Sequence, residues 1–197
     1  MLQAFQAAVD LLCEAHAHIE DVHWDNWLNA PFQLQEKGTL IAAEAAYIHS
    51  NLLATGKAEA LDPLVLSRIR RGESIPAAHY VGVQQARAQL QQQLDSAMAD
   101  WDILILPTVP LLAPTIDSLA NEERFHHTNM LMLRNPSVFN FYDLPAVSLP
   151  LPRAHGQLPV GLMVVGPRHS DRSLLAIAYA LQNMLTPQAS AVAQPTF

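Results

Sequence analysis

Lysine is almost missing from this chain, with only Lys37 and Lys57 among its 197 residues. Lysine and arginine together number 11 against 18 Asp and Glu, for a formal net charge of −7. The basic residues are scattered, and Arg70-Arg71 is the one adjacent pair, so binding to nucleic acid by phosphate neutralisation is not expected. A single cysteine, Cys13, excludes an internal disulfide and fits a reducing compartment. The first residues, MLQAFQAAVDLLCEAHAH, have neither the basic start nor the unbroken apolar core of a signal peptide. Residues 173–197 carry no charge, yet their apolar part ends at Pro187, short of the roughly 20 residues a membrane span needs. These shortages point to a soluble cytoplasmic protein with no nucleic-acid and no membrane partner. The chain also holds no Gly-Ser and no Ser-Gly dipeptide.

Half of the residues are hydrophobic and 15% are charged, a composition that folds instead of staying disordered. The most informative stretch is 134–168, RNPSVFNFYDLPAVSLPLPRAHGQLPVGLMVVGPR. Residues 146–149 and 160–165 have strand length and β-branched content, and prolines and glycines bracket both. The connector RAHGQLP suits a surface hairpin loop, and Gly166-Pro167 stops the second strand.

Along the rest of the chain, Leu2, Phe5, Val9 and Leu12 predict an amphipathic helix over 3–15, its apolar face starting at the second residue. Residues 19–24 read as a short strand. After an irregular link ended by Pro31, a long helix to about residue 53 is expected, with Leu34, Ile41, Ile48 and Leu52 on one face and Gly56 closing it. Asp62-Pro63 caps a short helix that Gly72 ends. Ser74 and Pro76 open the next helix, with Tyr80, Val83, Leu90, Leu94 and Ala97 inward and its glutamines mostly outward. Residues 103–106, ILIL, predict a fully buried strand, followed by a proline-rich extended loop. Residues 122–141 read as partly helical, interrupted by Pro136. The last helix runs from Asp171 to about Leu185, with Leu174, Ile177, Leu181 and Leu185 on one face, and a loose tail over 186–197.

The run Phe139-Asn140, Leu144-Pro145-Ala146, Ser148, Pro150 and Gln157-Leu158-Pro159-Val160-Gly161-Leu162 resembles the C-terminal part of the amidase signature hydrolases. The resemblance covers residues 1–185; the PTVP segment at 107–110 and the GLPxG-like run are its most specific pieces. It implies an α/β class and a partial amidase-signature-like fold, a mixed sheet covered by helices. The family is similar in using a serine nucleophile, a bridging cis-serine and a lysine, with a Gly-Ser-Ser-Gly type loop and backbone N–H groups that hold an oxyanion. That machinery belongs to the other half of the family domain, and no residue here inherits a catalytic role. The resemblance implies no cofactor.

By position, the segment before the strand lies near the substrate, which nominates Arg134, Asn135 and Asn140 as pocket wall. A guanidinium grips a carboxylate through two parallel hydrogen bonds, so Arg134 would select a carboxylated amide. The plainer reading makes Arg134 a surface residue and has the asparagines satisfy nearby backbone groups. Asp143 stands where many members have glycine and is expected at positive φ, as a turn residue and not an acid catalyst. His16, His18, His23, His126 and His127 lack the spacing of a zinc motif, and no metal is expected. Cys13 is expected in the core.

The expectation is therefore scaffold and pocket wall of a hydrolase acting on carboxylic amide or urea-like C–N bonds, inactive alone. The partner would be a complementary N-terminal half or a second copy, and a small amide would bind only in the complete enzyme. The rival expectation is a non-catalytic interaction protein, or a decayed remnant, using the half-fold as a partner surface.

Overall fold

The computed structural model describes residues 1–185 and divides the chain into two compact units, Met1–Val22 with Asp95 onward, and His23–Leu94. The expected tail over 186–197 lies outside the described residues. No linker composition marks the division.

The first unit carries the sheet. Strand β1 (Leu104–Pro107), β2 (Ala146–Pro150) and β3 (Gly161–Val165) form three strands in the order β1-β3-β2, both pairings antiparallel. The α/β class expected from sequence is the one observed, and β2 and β3 match the expected hairpin within a residue. Leu162 and Val164 project from β3 into a core with Leu149 and Leu151. Helix α1 (Leu2–Glu14) adds Ala8 and Leu12, and α8 (Asp171–Leu185) adds Leu174, Ala178, Leu181 and Leu185. Each buried leucine or valine contributes about 1.5–3 kcal/mol of transfer free energy. Alternation sends Met163 and Val165 to the opposite face, where they are also buried. Helix α7 (Glu122–Phe141) leads into β2.

The second unit is helical: α2 (Asp25–Leu34), α3 (Leu40–Ile48), α4 (Ser50–Ala54), α5 (Pro63–Arg71) and most of α6 (Ala77–Ala97). Asp62 caps α5 as expected, its Oδ1 accepting from the Leu64 and Val65 amides. Of the glutamines on α6, Gln91 is the buried exception.

Several expectations fail for identifiable reasons. Residues 19–24 form no strand: Ile19 packs on the core, but Glu20, Asp21 and His23 are exposed and nothing pairs with the segment. Pro31 lies inside α2 and is buried, its packing outweighing the ladder bond it cannot donate. The long helix to residue 53 is broken at Gly38, whose φ is +139°, and restarts where Thr39 Oγ1 accepts from Ala42 N at 3.1 Å. Its expected inner face is wrong, since Ile41 and Ile48 are 72% and 71% exposed while Leu40 and Ala46 are buried. Residues 104–107 are half-buried because β1 lies at a sheet edge. Pro136 does not interrupt α7. Leu2 is 70% exposed, and Cys13 is exposed because α1 turns Ala8 and Leu12 inward.

Candidate functional site

The site grows from the end of β1. Thr108 N donates to Gly161 O at 2.9 Å, which fixes the ladder phase so that residue 107 faces away from β3. Proline fits there, because the N–H it lacks would have pointed off the sheet edge. The outward carbonyl of Pro107 still needs a donor, and Asn135 of α7 supplies one from Nδ2 at 2.7 Å. The same carboxamide accepts from Arg134 Nε at 3.1 Å through Oδ1. Only one orientation of the amide satisfies both neighbours, since a carbonyl requires N–H and a guanidinium requires oxygen.

On the sheet face beside this edge, Thr108 Oγ1 and Ser148 Oγ meet at 2.6 Å over the central strand. They meet because residue 161 is glycine: a Cβ there would lie 2.5 Å from Ser148 Oγ and 2.6 Å from Thr108 Oγ1. Among the described residues neither hydroxyl bonds any other side chain, so neither has the adjacent base that an activated nucleophile requires. Thr108 carries no sequence signal beyond its place in the PTVP segment.

Of the three nominated residues, the structure brings Arg134 and Asn135 together and leaves Asn140 apart. Asn140 sits six positions further along α7, about 9 Å along the axis and roughly 120° around it. Its side chain is exposed and holds no partner among the described residues.

The end of α7 explains Asp143. Its N–H bonds Asn140 O and the next N–H, of Leu144, bonds Phe139 O, a Schellman closure with Asp143 at φ +56°. Leu144 and Phe139 are both buried, as that closure favours. His16 closes α1 the same way at φ +67°, with its N–H on Cys13 O and that of Ala17 on Leu12 O. A backbone role thus accounts for the residue that had raised a metal question. Among the described residues no three His, Cys, Asp or Glu gather where an ion could be held.

An ion pair unseen in the sequence joins the end of α6 to the segment after β3. Arg168 donates to Asp95 through Nε at 2.8 Å and through Nη2. That hydrogen bond is the main cause that holds the Asp95 carboxyl below its usual range, against the opposing effect of burial. It likewise raises Arg168. Burial pushes the Tyr142 phenol up to about 12.

The amidase family profile matches residues 1–175. The chain belongs to the amidase signature family. It is 29% identical over 187 residues to the 2-amino-5-chloromuconic acid deaminase of Comamonas testosteroni, covering 92% of this chain and 39% of that protein. The urea amidolyase of Saccharomyces cerevisiae is 27% identical over 186 residues, with 94% of this chain and 10% of that protein covered. The solved Kluyveromyces lactis allophanate hydrolase superposes with a TM-score of 0.81 at 25% identity, over 93% of this chain and 29% of the other. This amidase-family chain therefore spans well under half the length of each of these relatives. Among the described residues no helix is long and apolar enough to cross a membrane.

Proposed function

We propose that this chain supplies scaffold and part of the substrate-pocket wall of an amidase-type hydrolase that cleaves a carboxylic amide or urea-like C–N bond, and that it is inactive alone. The carrying observation is the family match over residues 1–175 in a sequence with no Gly-Ser or Ser-Gly dipeptide and, among the described residues, no base bonded to its Thr108–Ser148 hydroxyls. Arg134 is the wall residue that selects a carboxylated substrate. Its guanidinium is exposed, and apart from the Nε contact its donors are unengaged among the described residues. The deaminase and allophanate hydrolase relatives, by their names, act on carboxylates, which supports this choice. Asn140 stays a candidate contact through its exposed amide, which holds no partner among the described residues. A cytoplasmic setting belongs to the same reading, supported by the low cysteine count.

The test is ammonia release by the purified chain from aliphatic amides, aromatic amides and urea-type substrates. None is expected. Turnover that survives repurification and scales with protein would overturn the reading.

We further propose that the chain works with a partner: a complementary amidase half, or a second copy. Leu175 and Tyr179, 62% and 71% exposed, lie one turn apart on the outer side of α8. The outer edge of β2 pairs with no other described strand, and such an edge templates association. Sedimentation at micromolar concentration should show dimers or larger species. A compact monomer that binds no apolar dye would leave the partner proposal without support.

A further inference from the structure

We infer that Asn135 is a positioning residue that aims Arg134 at the substrate, and is not itself a substrate contact. The inference rests on the carboxylate-selecting reading of Arg134 and assigns a mechanism to it. Arg134 is exposed on α7, and an arginine in that setting normally samples many rotamers. Here its Nε–H is held by Asn135 Oδ1 at 3.1 Å. Asn135 is in turn anchored by Nδ2 on the Pro107 carbonyl at 2.7 Å, 28 residues away in sequence. Pro107 belongs to β1, so the guanidinium plane is referred to the sheet through one carboxamide.

Three features favour this over a loose surface contact. The Pro107 carbonyl points off the ladder, so it offers Asn135 a partner with no competing strand. The carboxamide has a single orientation that serves both neighbours, so it cannot flip without losing both bonds. Holding Nε leaves the two Nη groups, which have no partner among the described residues, to face outward as a fork. A fork fixed in advance loses less freedom on gripping a planar carboxylate, whereas a neutral amide gains little from it. Asn135 is half-buried against the Pro107 carbonyl while Arg134 is exposed, so Asn135 acts through Arg134.

The experiment uses the purified chain together with a complementary N-terminal amidase half and two probes, malonamate, which carries a carboxylate beside an amide, and neutral malonamide. Binding is followed by titration, and the Arg134 Nε–H by its nitrogen–proton resonance. Malonamate should bind saturably, and Arg134→Ala should weaken it about tenfold or more, as loss of a charge-assisted pair does. Asn135→Ala should weaken malonamate about three- to tenfold, leave malonamide unchanged, and move the Nε–H resonance into fast exchange with solvent. Placed on Arg134→Lys, which has no Nε, Asn135→Ala should weaken malonamate no further. Asn135→Asp keeps the size and the acceptor but loses the donor to Pro107 and puts a negative charge beside the guanidinium. It should also weaken malonamate, and it serves if the alanine variant does not fold. Failure of malonamate to bind the unmodified chain in the presence of that half overturns the carboxylate reading and this inference with it. Malonamate binding lost in Arg134→Ala but unchanged in both Asn135 variants overturns the positioning role alone.

Discussion

In the sheet-bearing unit Leu162 and Val164 are enclosed to 0% exposure by large side chains from α1, α8 and the neighbouring strands. The helical unit makes its tightest fit differently. A Cβ on Gly72 would stand 1.9 Å from the carbonyl oxygen of Ala42, so the turn after α5 presses its backbone onto the backbone of α3. Helix α3 is apolar almost all round, yet Ile41, Tyr47 and Ile48 are 72%, 82% and 71% exposed. Apart from Leu40 its inward side offers alanine, so closeness substitutes for bulk. A core of interlocked leucines resists loss of volume, while a core of touching backbones resists gain of volume.

Opposite substitutions should therefore break the two units. Leu162→Ala removes volume where nothing can collapse inward from a paired central strand, and should cost about 3–5 kcal/mol. The measurement is denaturant unfolding, with amide exchange at Val164 and Leu174. A loss below about 1 kcal/mol would mean that the leucine core is slack. Gly72→Ala adds volume against backbone and should cost about 3 kcal/mol, read from amide exchange in α3 and α5. A neutral outcome there would remove the contrast, because Gly72 sits at φ −68°, where alanine adds no backbone strain and only the contact with Ala42 is tested.

A smaller effect tests the helix closures. Asp143 holds φ +56° with a Cβ that left-handed backbone disfavours, so Asp143→Gly should stabilise by about 1 kcal/mol, less whatever its present interaction contributes. Asp143→Ala should be less stable than Asp143→Gly, and equal melting points for the two would contradict the closure. The smallest effect concerns the Arg168–Asp95 pair, which is partly exposed and contributes about 1 kcal/mol or less. Because the folded state lowers the Asp95 pKa below 3.8, the contribution is present at neutral pH. It disappears as pH falls from about 4 through the folded value. Asp95→Asn should lose that contribution at neutral pH, lowering the melt by about 2–4 °C at most, and should flatten the acid limb so that the two chains converge in acid. At the other end, Tyr142 ionises near 10 when unfolded and at about 12 when folded, so stability should fall as pH rises across that interval.

The parts legible in sequence were those with a local cause. Asp62-Pro63 opens a helix through its own side chain, β2 and β3 stand between prolines and glycines, and α8 keeps its apolar spacing from Leu174 to Leu185. Asp143 showed itself because a turn tolerates few residues, and Arg134 and Asn135 because they stand together in a recognisable run. Each depends on chemistry within a turn or two of chain. The helix over 34–53 and the strand at 19–24 failed because apolar spacing cannot tell which side of an element meets a neighbour. What only the tertiary structure decided are the contacts between distant positions: Asn135 on Pro107 across 28 residues, Thr108 on Ser148 across 40 and Arg168 on Asp95 across 73. No local pattern encodes these, because the ladder phase of β1 against β3, the missing Cβ at Gly161 and the packing of the helices determine which polar groups arrive within bonding distance.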